Sequence, residues 1–261
     1  MTSTETRYLA ERVRLPNDTR GATAGGRRGT WMGAQVSALV STPVGDVQRF
    51  ALAPRAALNA YLVGDVVVDA GMPGQGRAIV RMIGGRLIRS HVLTHPHLDH
   101  AGGSAHVCRS FGLRGAACGS LDLADLRAGR SPELALRPRL RPLSRALGRY
   151  APVEATALAD GETVGHGFVV VPSPGHTPGH ISLWRAADRV LIAGDALMGL
   201  NLLSGQPDLR LPPRFDQPDP AAVRTSALRL AALEPQVVFF GHGPPMTDAS
   251  PRLRAFAATL T

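Results

Sequence analysis

Residues 91–103 read HVLTHPHLDHAGG and crowd three histidines and one aspartate into six consecutive positions, from His95 to His100. The run SHVLT at 90–94 is apolar and β-branched, which is typical of a buried strand. Imidazole and carboxylate groups are the ligands that transition metals such as zinc, iron and manganese accept. The stretch therefore predicts a metal site in the loop that leaves a strand.

Three further stretches place a ligand-type residue shortly after an apolar strand. FVVVPSPG precedes His176, RVLIAG precedes Asp195, and VVFFG precedes His242. Loops at the carboxyl ends of strands in α/β proteins converge on a common crevice, so we expect all four loops to share one site. The predicted ligands are His95, His97, Asp99, His100, His176, Asp195 and His242. These exceed the four donors that one tetrahedral zinc takes, which indicates two metal ions.

Taken in order, the segments THPHLDHAGG, PSPGHTPGH, IAGDAL and FFGHGPP resemble the motifs of the metallo-β-lactamase superfamily. The resemblance implies an α/β fold, an αβ/βα four-layer sandwich in which two mixed β-sheets pack face to face with helices outside. The implied ligands are His95, His97 and His176 for the first metal, Asp99, His100 and His242 for the second, and Asp195 as the bridge.

The donor types favour zinc as the cofactor, with iron and manganese as alternatives. Two such ions about 3.5–4 Å apart can bind one hydroxide and polarise a substrate oxygen. We therefore expect a dinuclear hydrolase of a small carbonyl substrate, a thioester, lactone or ester, that uses a metal-bridging hydroxide. Asp99 is the predicted catalytic residue, because its carboxylate can orient the hydroxide or accept its proton.

Two alternative functions use the same kind of metal centre. A phosphodiesterase or nuclease can work with two metal ions, and the arginine excess would suit it. A sulfur dioxygenase of the same superfamily would use iron instead. Hydrolysis of β-lactams is disfavoured, because the true β-lactamases generally lack an aspartate in the bridging role assigned to Asp195.

The formal net charge of +9 comes from 29 cationic side chains, all of them arginine. They are not gathered at the metal motif, so we expect a small-molecule substrate and no membrane partner, with nucleic acid disfavoured. The only cysteines are Cys108 and Cys118, which we interpret as small buried residues of a cytoplasmic protein. No oligomeric state follows from the sequence.

The chain is expected to divide into a short tail and one domain. Residues 1–30 are polar and rich in arginine and glycine, which predicts a flexible tail. Residues 31–261 are predicted to form a single metallo-β-lactamase-fold domain. Helix-compatible stretches lie at 76–83, 103–111, 120–128, 219–233 and 250–260.

Two segments have two possible roles each. The Arg- and Pro-rich insertion at about 130–152 is either a lid or anion-binding element or, as we favour, a solvated helical connector. Residues 196–215 either wall an apolar substrate pocket or pack on their own scaffold.

The remaining histidines are interpreted as residues that do not bind metal. His180 follows His176 by four positions, but Pro178 and Gly179 preclude a helical metal-binding pair, so His180 is expected to support its neighbours or pack in a strand. His91, His106 and His166 are interpreted as surface or hydrogen-bonded residues.

Overall fold

A computed structural model of the chain describes residues 35–40, 47–132, 139 and 141–261. The predicted flexible tail, residues 1–30, and the predicted start of the domain at residue 31 lie outside the described residues. The same holds for residues 133–138 and 140 of the predicted insertion.

The first sheet has seven described strands that follow one another in chain order. They are β1 (Gln35–Val40), β2 (Val47–Ala51), β3 (Asn59–Val63), β4 (Val66–Val68), β5 (Ser90–Val92), β6 (Ala116–Gly119) and β7 (Ala155–Leu158). Strands β1 to β4 pair antiparallel, whereas β4 to β7 pair parallel. The sheet is therefore mixed, and its parallel half ends in loops that share one edge.

The second sheet has six described strands in the order β15-β14-β11-β10-β9-β8. They are β8 (Thr163–Gly165), β9 (Phe168–Pro172), β10 (Ile181–Arg185), β11 (Val190–Gly194), β14 (Val237–Phe240) and β15 (Met246–Thr247). β11 pairs parallel with β14, and the other pairs are antiparallel. A separate hairpin consists of β12 (Met198–Leu200) and β13 (Pro207–Arg210).

The two sheets pack face to face through alternating strand residues. Val47, Tyr61 and Val68 of the first sheet share a buried cluster with Phe168, Leu183, Ile192 and Phe239 of the second. Because side chains alternate across a strand, the intervening residues point to the outer face of each sheet. The apolar residues among them must be buried by other elements.

Helices cover both outer faces. The described helices are α1 (Gly76–Ile83), α2 (Leu98–Ala101), α3 (Ser104–Phe111), α4 (Leu123–Ala128), α5 (Arg141–Leu147), α6 (Pro220–Ala232) and α7 (Ala249–Ala258). α1 and α3 bury Ile79 and Val107 against the first sheet. α6 and α7 bury Leu230 and Leu253 against the second. The order helix, sheet, sheet, helix confirms the predicted αβ/βα sandwich.

The insertion contains a helix, α5, on which Leu143 and Leu147 are exposed. This agrees with the helical connector, but the two ends of the segment have a contact that the sequence did not predict. The Tyr150 hydroxyl donates to the Pro96 carbonyl at 2.9 Å, and the Leu98 backbone N–H donates to Ser131 Oγ at 2.8 Å. The ends of the insertion thus hold the loop that includes His97.

Much of the segment 196–215 packs on the scaffold. Ala196 and Leu197 lie in the core beneath the second sheet, and Leu209 and Leu211 pack against the same core. Leu202, Leu203 and Phe215 are exposed, and whether they wall a substrate pocket stays a prediction. Among the described residues, no helix is both long enough and apolar enough to cross a membrane.

Candidate metal centre

The structure brings all seven predicted ligands to one edge of the sandwich. His95 follows β5, His97 directly precedes α2, and Asp99 and His100 lie in α2. The other three residues follow strands of the second sheet: His176 comes after β9, Asp195 after β11 and His242 after β14. The carboxyl ends of these strands meet because the two sheets pack face to face with this edge in common.

The first predicted set is a triangle of imidazoles. His97 Nδ1 lies 2.9 Å from His176 Nε2, which lies 3.1 Å from His95 Nε2. All three side chains are buried. One ring nitrogen of each residue lies within 4.8 Å of the other two, close enough for the three to hold one metal ion.

The second predicted set surrounds an imidazole pair. His100 Nε2 and His242 Nε2 are 3.5 Å apart, and Asp99 Oδ2 lies 4.0 Å from the first and 3.4 Å from the second. Asp99 is half-buried, so its carboxylate borders solvent.

Asp195 lies between the two sets. Its Oδ2 is 3.0 Å from His242 Nε2, 3.6 Å from His100 Nε2 and 3.6 Å from His176 Nε2. One carboxylate oxygen therefore faces a nitrogen of each set, as a bridging residue must. Its other oxygen, Oδ1, is buried and has no hydrogen-bond partner among the described residues.

Hydrogen bonds fix the orientation of the His95 and His100 rings. His100 Nδ1 donates to Asp69 Oδ2 at 2.9 Å. Thr94 Oγ1 also donates to Asp69 Oδ2, at 2.9 Å, and its lone pair then accepts from His95 Nδ1 at 3.0 Å. Because Nδ1 is the donor of these hydrogen bonds, Nε2 of both rings is directed at the site as the atom that would bind a metal.

Backbone carbonyls do the same for two other rings. His176 Nδ1 donates to the carbonyl of Asp216 at 2.9 Å, and His242 Nδ1 donates to the carbonyl of Ala57. Nε2 of each ring again points into the site.

The charges of the site follow from burial and from the neighbours. Burial, reinforced by adjacent imidazoles, lowers the pKa of His95 well below its usual value and that of His97 to about 3. Burial opposes the charge of His100 and His242 as well, but the carboxylate of Asp195 prevails and raises both pKa values. His95 and His97 are therefore uncharged at neutral pH, whereas His100 and His242 hold protons in the metal-free protein.

Both carboxylates of the site are ionised. Burial opposes the charge of Asp195, yet His242 and His100 hold its pKa well below the usual range. The pKa of Asp99 is also lowered, by His100 and His242 against the effect of burial.

These observations fit the binding of divalent metal. Imidazole nitrogens converge, two ionised carboxylates lie among them, and the buried Asp195 Oδ1 has no donor among the described residues. Such an arrangement is costly without a cation, because buried charges need pairing. The donor set of nitrogen and carboxylate oxygen suits zinc, iron and manganese.

Three residues around the site were not identified from the sequence. Asp69 holds His100, Asp216 holds His176, and Tyr150 holds the loop of His97. None of them occurs in a spacing pattern with the ligands. Only Asp69, which directly follows β4, stands at a strand exit that could have drawn attention.

The histidines assigned to other roles lie outside the donor groups. His180 Nε2 accepts from the Asp195 backbone N–H, which agrees with a supporting role. His91 is buried and hydrogen-bonded to Val67 and Ser104, while His166 is exposed beside Asp65.

Comparison with known proteins gives the same family. The profile of the metallo-beta-lactamase superfamily matches residues 54–242. The chain therefore belongs to the metallo-beta-lactamase superfamily, and this membership identifies it as a metal-dependent hydrolase.

The relatives include enzymes with and without a named substrate. The chain is 32% identical over 203 residues to the probable metallo-hydrolase YflN of Bacillus subtilis (strain 168), a match that covers 70% of this chain and 76% of that protein. It is 30% identical over 154 residues to the hydroxyacylglutathione hydrolase GloC of Haemophilus influenzae (strain ATCC 51907 / DSM 11121 / KW20 / Rd), covering 58% of this chain and 67% of that protein.

A solved structure is also similar. The crystal structure of TTHA1623 in a di-iron-bound form has a TM-score of 0.58 and 26% sequence identity, covering 77% of this chain and 95% of that one.

Proposed function

We propose that the protein is a dinuclear metal-dependent hydrolase of a small carbonyl substrate: a thioester, a lactone or an ester. The observation that carries the proposal is the position of Asp195 Oδ2, within 3.6 Å of histidine nitrogens from both ligand sets. A carboxylate so placed can bridge two cations, whereas a single-ion site would leave half of the histidines without a role.

The ligand sets differ in charge and in exposure. The first comprises the three buried imidazoles, and the second includes the half-buried carboxylate of Asp99. Solvent and substrate would therefore approach beside Asp99. Zinc is the metal we propose first for both positions, with iron or manganese as alternatives.

Divalent ions at such a centre lower the pKa of a coordinated water and polarise a substrate carbonyl. Asp99 stays ionised and borders solvent, so it can accept a hydrogen bond from the attacking water and orient it. Asp69 and Thr94 keep the rings of His100 and His95 in the tautomer that leaves Nε2 free. The Asp195 carboxylate lies between the two ligand sets.

Two similarities support this proposal. GloC is named as a hydroxyacylglutathione hydrolase, which supports a carbonyl substrate. TTHA1623 holds two irons, which supports two ions. We also propose a small-molecule substrate. We propose a cytoplasmic location as well, since Cys108 and Cys118 are buried free thiols.

Elemental analysis combined with a substrate panel tests the proposal. The panel comprises a thioester, a lactone, an ester, a β-lactam and a bis-phosphodiester, each with and without chelator. About two ions per chain and chelator-sensitive turnover of a carbonyl substrate are expected. Turnover of the phosphodiester alone would reassign the protein as a nuclease or phosphodiesterase, and one iron per chain without hydrolysis would favour a sulfur dioxygenase.

Variants link the activity to the site. His97→Ala and Asp195→Ala are expected to lower metal content and abolish hydrolysis. His106→Ala is the matched control, because His106 is partly exposed on α3 and belongs to none of the donor groups. Full activity in either site variant would contradict the dinuclear reading.

A further inference from the structure

Asp216 lies behind the first ligand set although it is not one of the predicted ligands. It ends the short 3₁₀ turn Arg214–Asp216, which precedes α6. Its backbone carbonyl accepts the Nδ1 proton of His176 at 2.9 Å. This bond alone would need no particular side chain at position 216.

The Asp216 carboxylate nevertheless faces the same pair of rings. Oδ2 is 3.6 Å from His176 Nδ1, and Oδ1 is 4.0 Å from His97 Nδ1. The Asp216 side chain is only 19% exposed, and its Oδ1 is buried without a hydrogen-bond partner among the described residues. A buried carboxylate oxygen without a donor is costly unless a positive charge lies near it.

The positive charge beside Asp216 would be the metal ion of the first ligand set, as the distribution of carboxylates in the centre indicates. The second ligand set has its own carboxylate, Asp99, but the first has only imidazoles and the shared Asp195. A divalent cation in the first set would therefore be undercompensated. Asp216 is the carboxylate that stands beside this set, on the outer side of His176.

We propose that Asp216 is a positioning residue for the first metal ion. Its backbone carbonyl orients His176, and its carboxylate supplies the negative charge that the three imidazoles lack. It acts through His176 and His97 and does not itself coordinate. The inference rests on the proposed metal centre. Asp69 is the carboxylate behind the second set, where its Oδ2 accepts directly from His100 Nδ1 at 2.9 Å.

Metal titration tests the inference independently of any substrate. Zinc binding would be measured by competition with a chromogenic chelator in the wild type, D216N, D216A and the control D208N. Asp208 is an exposed carboxylate whose neighbour is Arg210, so D208N removes the same charge away from the site. D216N keeps the backbone carbonyl and the side-chain size and removes only the charge.

Both Asp216 variants are expected to bind one of the two ions about 10–100-fold more weakly, because they lack the negative charge behind the first ligand set and such groups behind the ligands tune metal affinity. The affinity for the other ion should stay as in the wild type, and D208N should bind both ions as the wild type does. The melting temperature of the metal-free variants should also be unchanged. With saturating metal, kcat should fall while KM stays the same, because Asp216 does not touch the substrate.

Two results would overturn the role of Asp216. One is wild-type affinity for both ions in D216N. The other is an equal loss of both ions together with a lower melting temperature of the metal-free protein, which would indicate a merely structural residue. If the wild type binds a single ion, the dinuclear function fails, while a weaker hold on that ion in D216N still supports Asp216.

Discussion

The ring of His180 holds the backbone of Asp195: His180 Nε2 accepts the Asp195 backbone N–H at 3.0 Å. The other ring nitrogen, Nδ1, donates to Ser173 Oγ at 2.8 Å, and Ser173 in turn contacts Ser182 Oγ at 2.8 Å. Since its Nε2 lone pair is engaged, His180 cannot bind metal. His180 instead fixes the position of the Asp195 backbone, and with it the carboxylate that we propose as the bridge.

We expect His180→Ala to destabilise the metal-free protein by about 1–3 kcal/mol, because the buried Asp195 N–H would lose its acceptor. Metal affinity should fall as well, since Asp195 would no longer be fixed. Urea unfolding in the presence of chelator measures the first effect, and competitive metal titration the second. His106→Ala should change stability by no more than about 0.5 kcal/mol. Unaltered stability and affinity in His180→Ala would refute this role.

Gly241 lies against the bridging carboxylate, and a Cβ there would overlap Asp195 Oδ1. Gly241→Ala is therefore expected to displace Asp195 and to weaken metal binding by at least about 10-fold. Gly85→Ala is the matched control, because a Cβ at Gly85 has no heavy atom within 4 Å. Metal content after dialysis separates the two variants. Equal metal content in both would show that Asp195 tolerates the shift.

Tyr150 connects the insertion to the ligand loop through its bond to the Pro96 carbonyl. Tyr150→Phe removes only the hydroxyl and leaves that carbonyl unpaired, at an expected cost of about 1–3 kcal/mol. If the bond also orients His95 and His97, metal affinity should fall. Thermal melts of the metal-free and the metal-loaded variant separate the effects. A variant that loses stability but binds metal as the wild type does would limit Tyr150 to a role in folding.

The pH dependence of metal binding should differ between the two ligand sets. Burial lowers the pKa of His95 and of His97, so these two ligands of the first set have no proton to lose near neutral pH. The pKa values of His100 and His242 are raised in the metal-free protein, despite burial, by carboxylates that include Asp195. An ion entering the second set must therefore displace protons, and its affinity should rise with pH.

Calorimetric titration in buffers of different ionisation enthalpy measures these protons directly. Release should accompany one ion and be near zero for the other. Affinities measured at about pH 6 and pH 8 should change by at least about tenfold for the proton-releasing ion only. Identical pH dependence for both ions would contradict the assignment of charge to the two sets.

Most of the long elements were predictable from local pattern. β11 spans Val190–Gly194 and α1 spans Gly76–Ile83, where the sequence predicts a strand and a helix. Glycine stands at the end of both, and both are rich in apolar residues. The strands β1 and β2 were not predicted, and neither were short strands such as β6 (Ala116–Gly119) and β12 (Met198–Leu200), in which three or four residues that include glycine have no recognisable period.

The sequence by itself determined the set of candidate ligands and the family, because histidine and aspartate at strand exits are a local and specific pattern. Only the tertiary structure decided how the donors divide around Asp195 and which groups stand behind them. Asp69, Asp216 and Tyr150 reach their partners across 31, 40 and 54 residues of chain. Such contacts depend on how the sheets and loops pack, and a single acid or tyrosine in a loop has no spacing that reveals its partner.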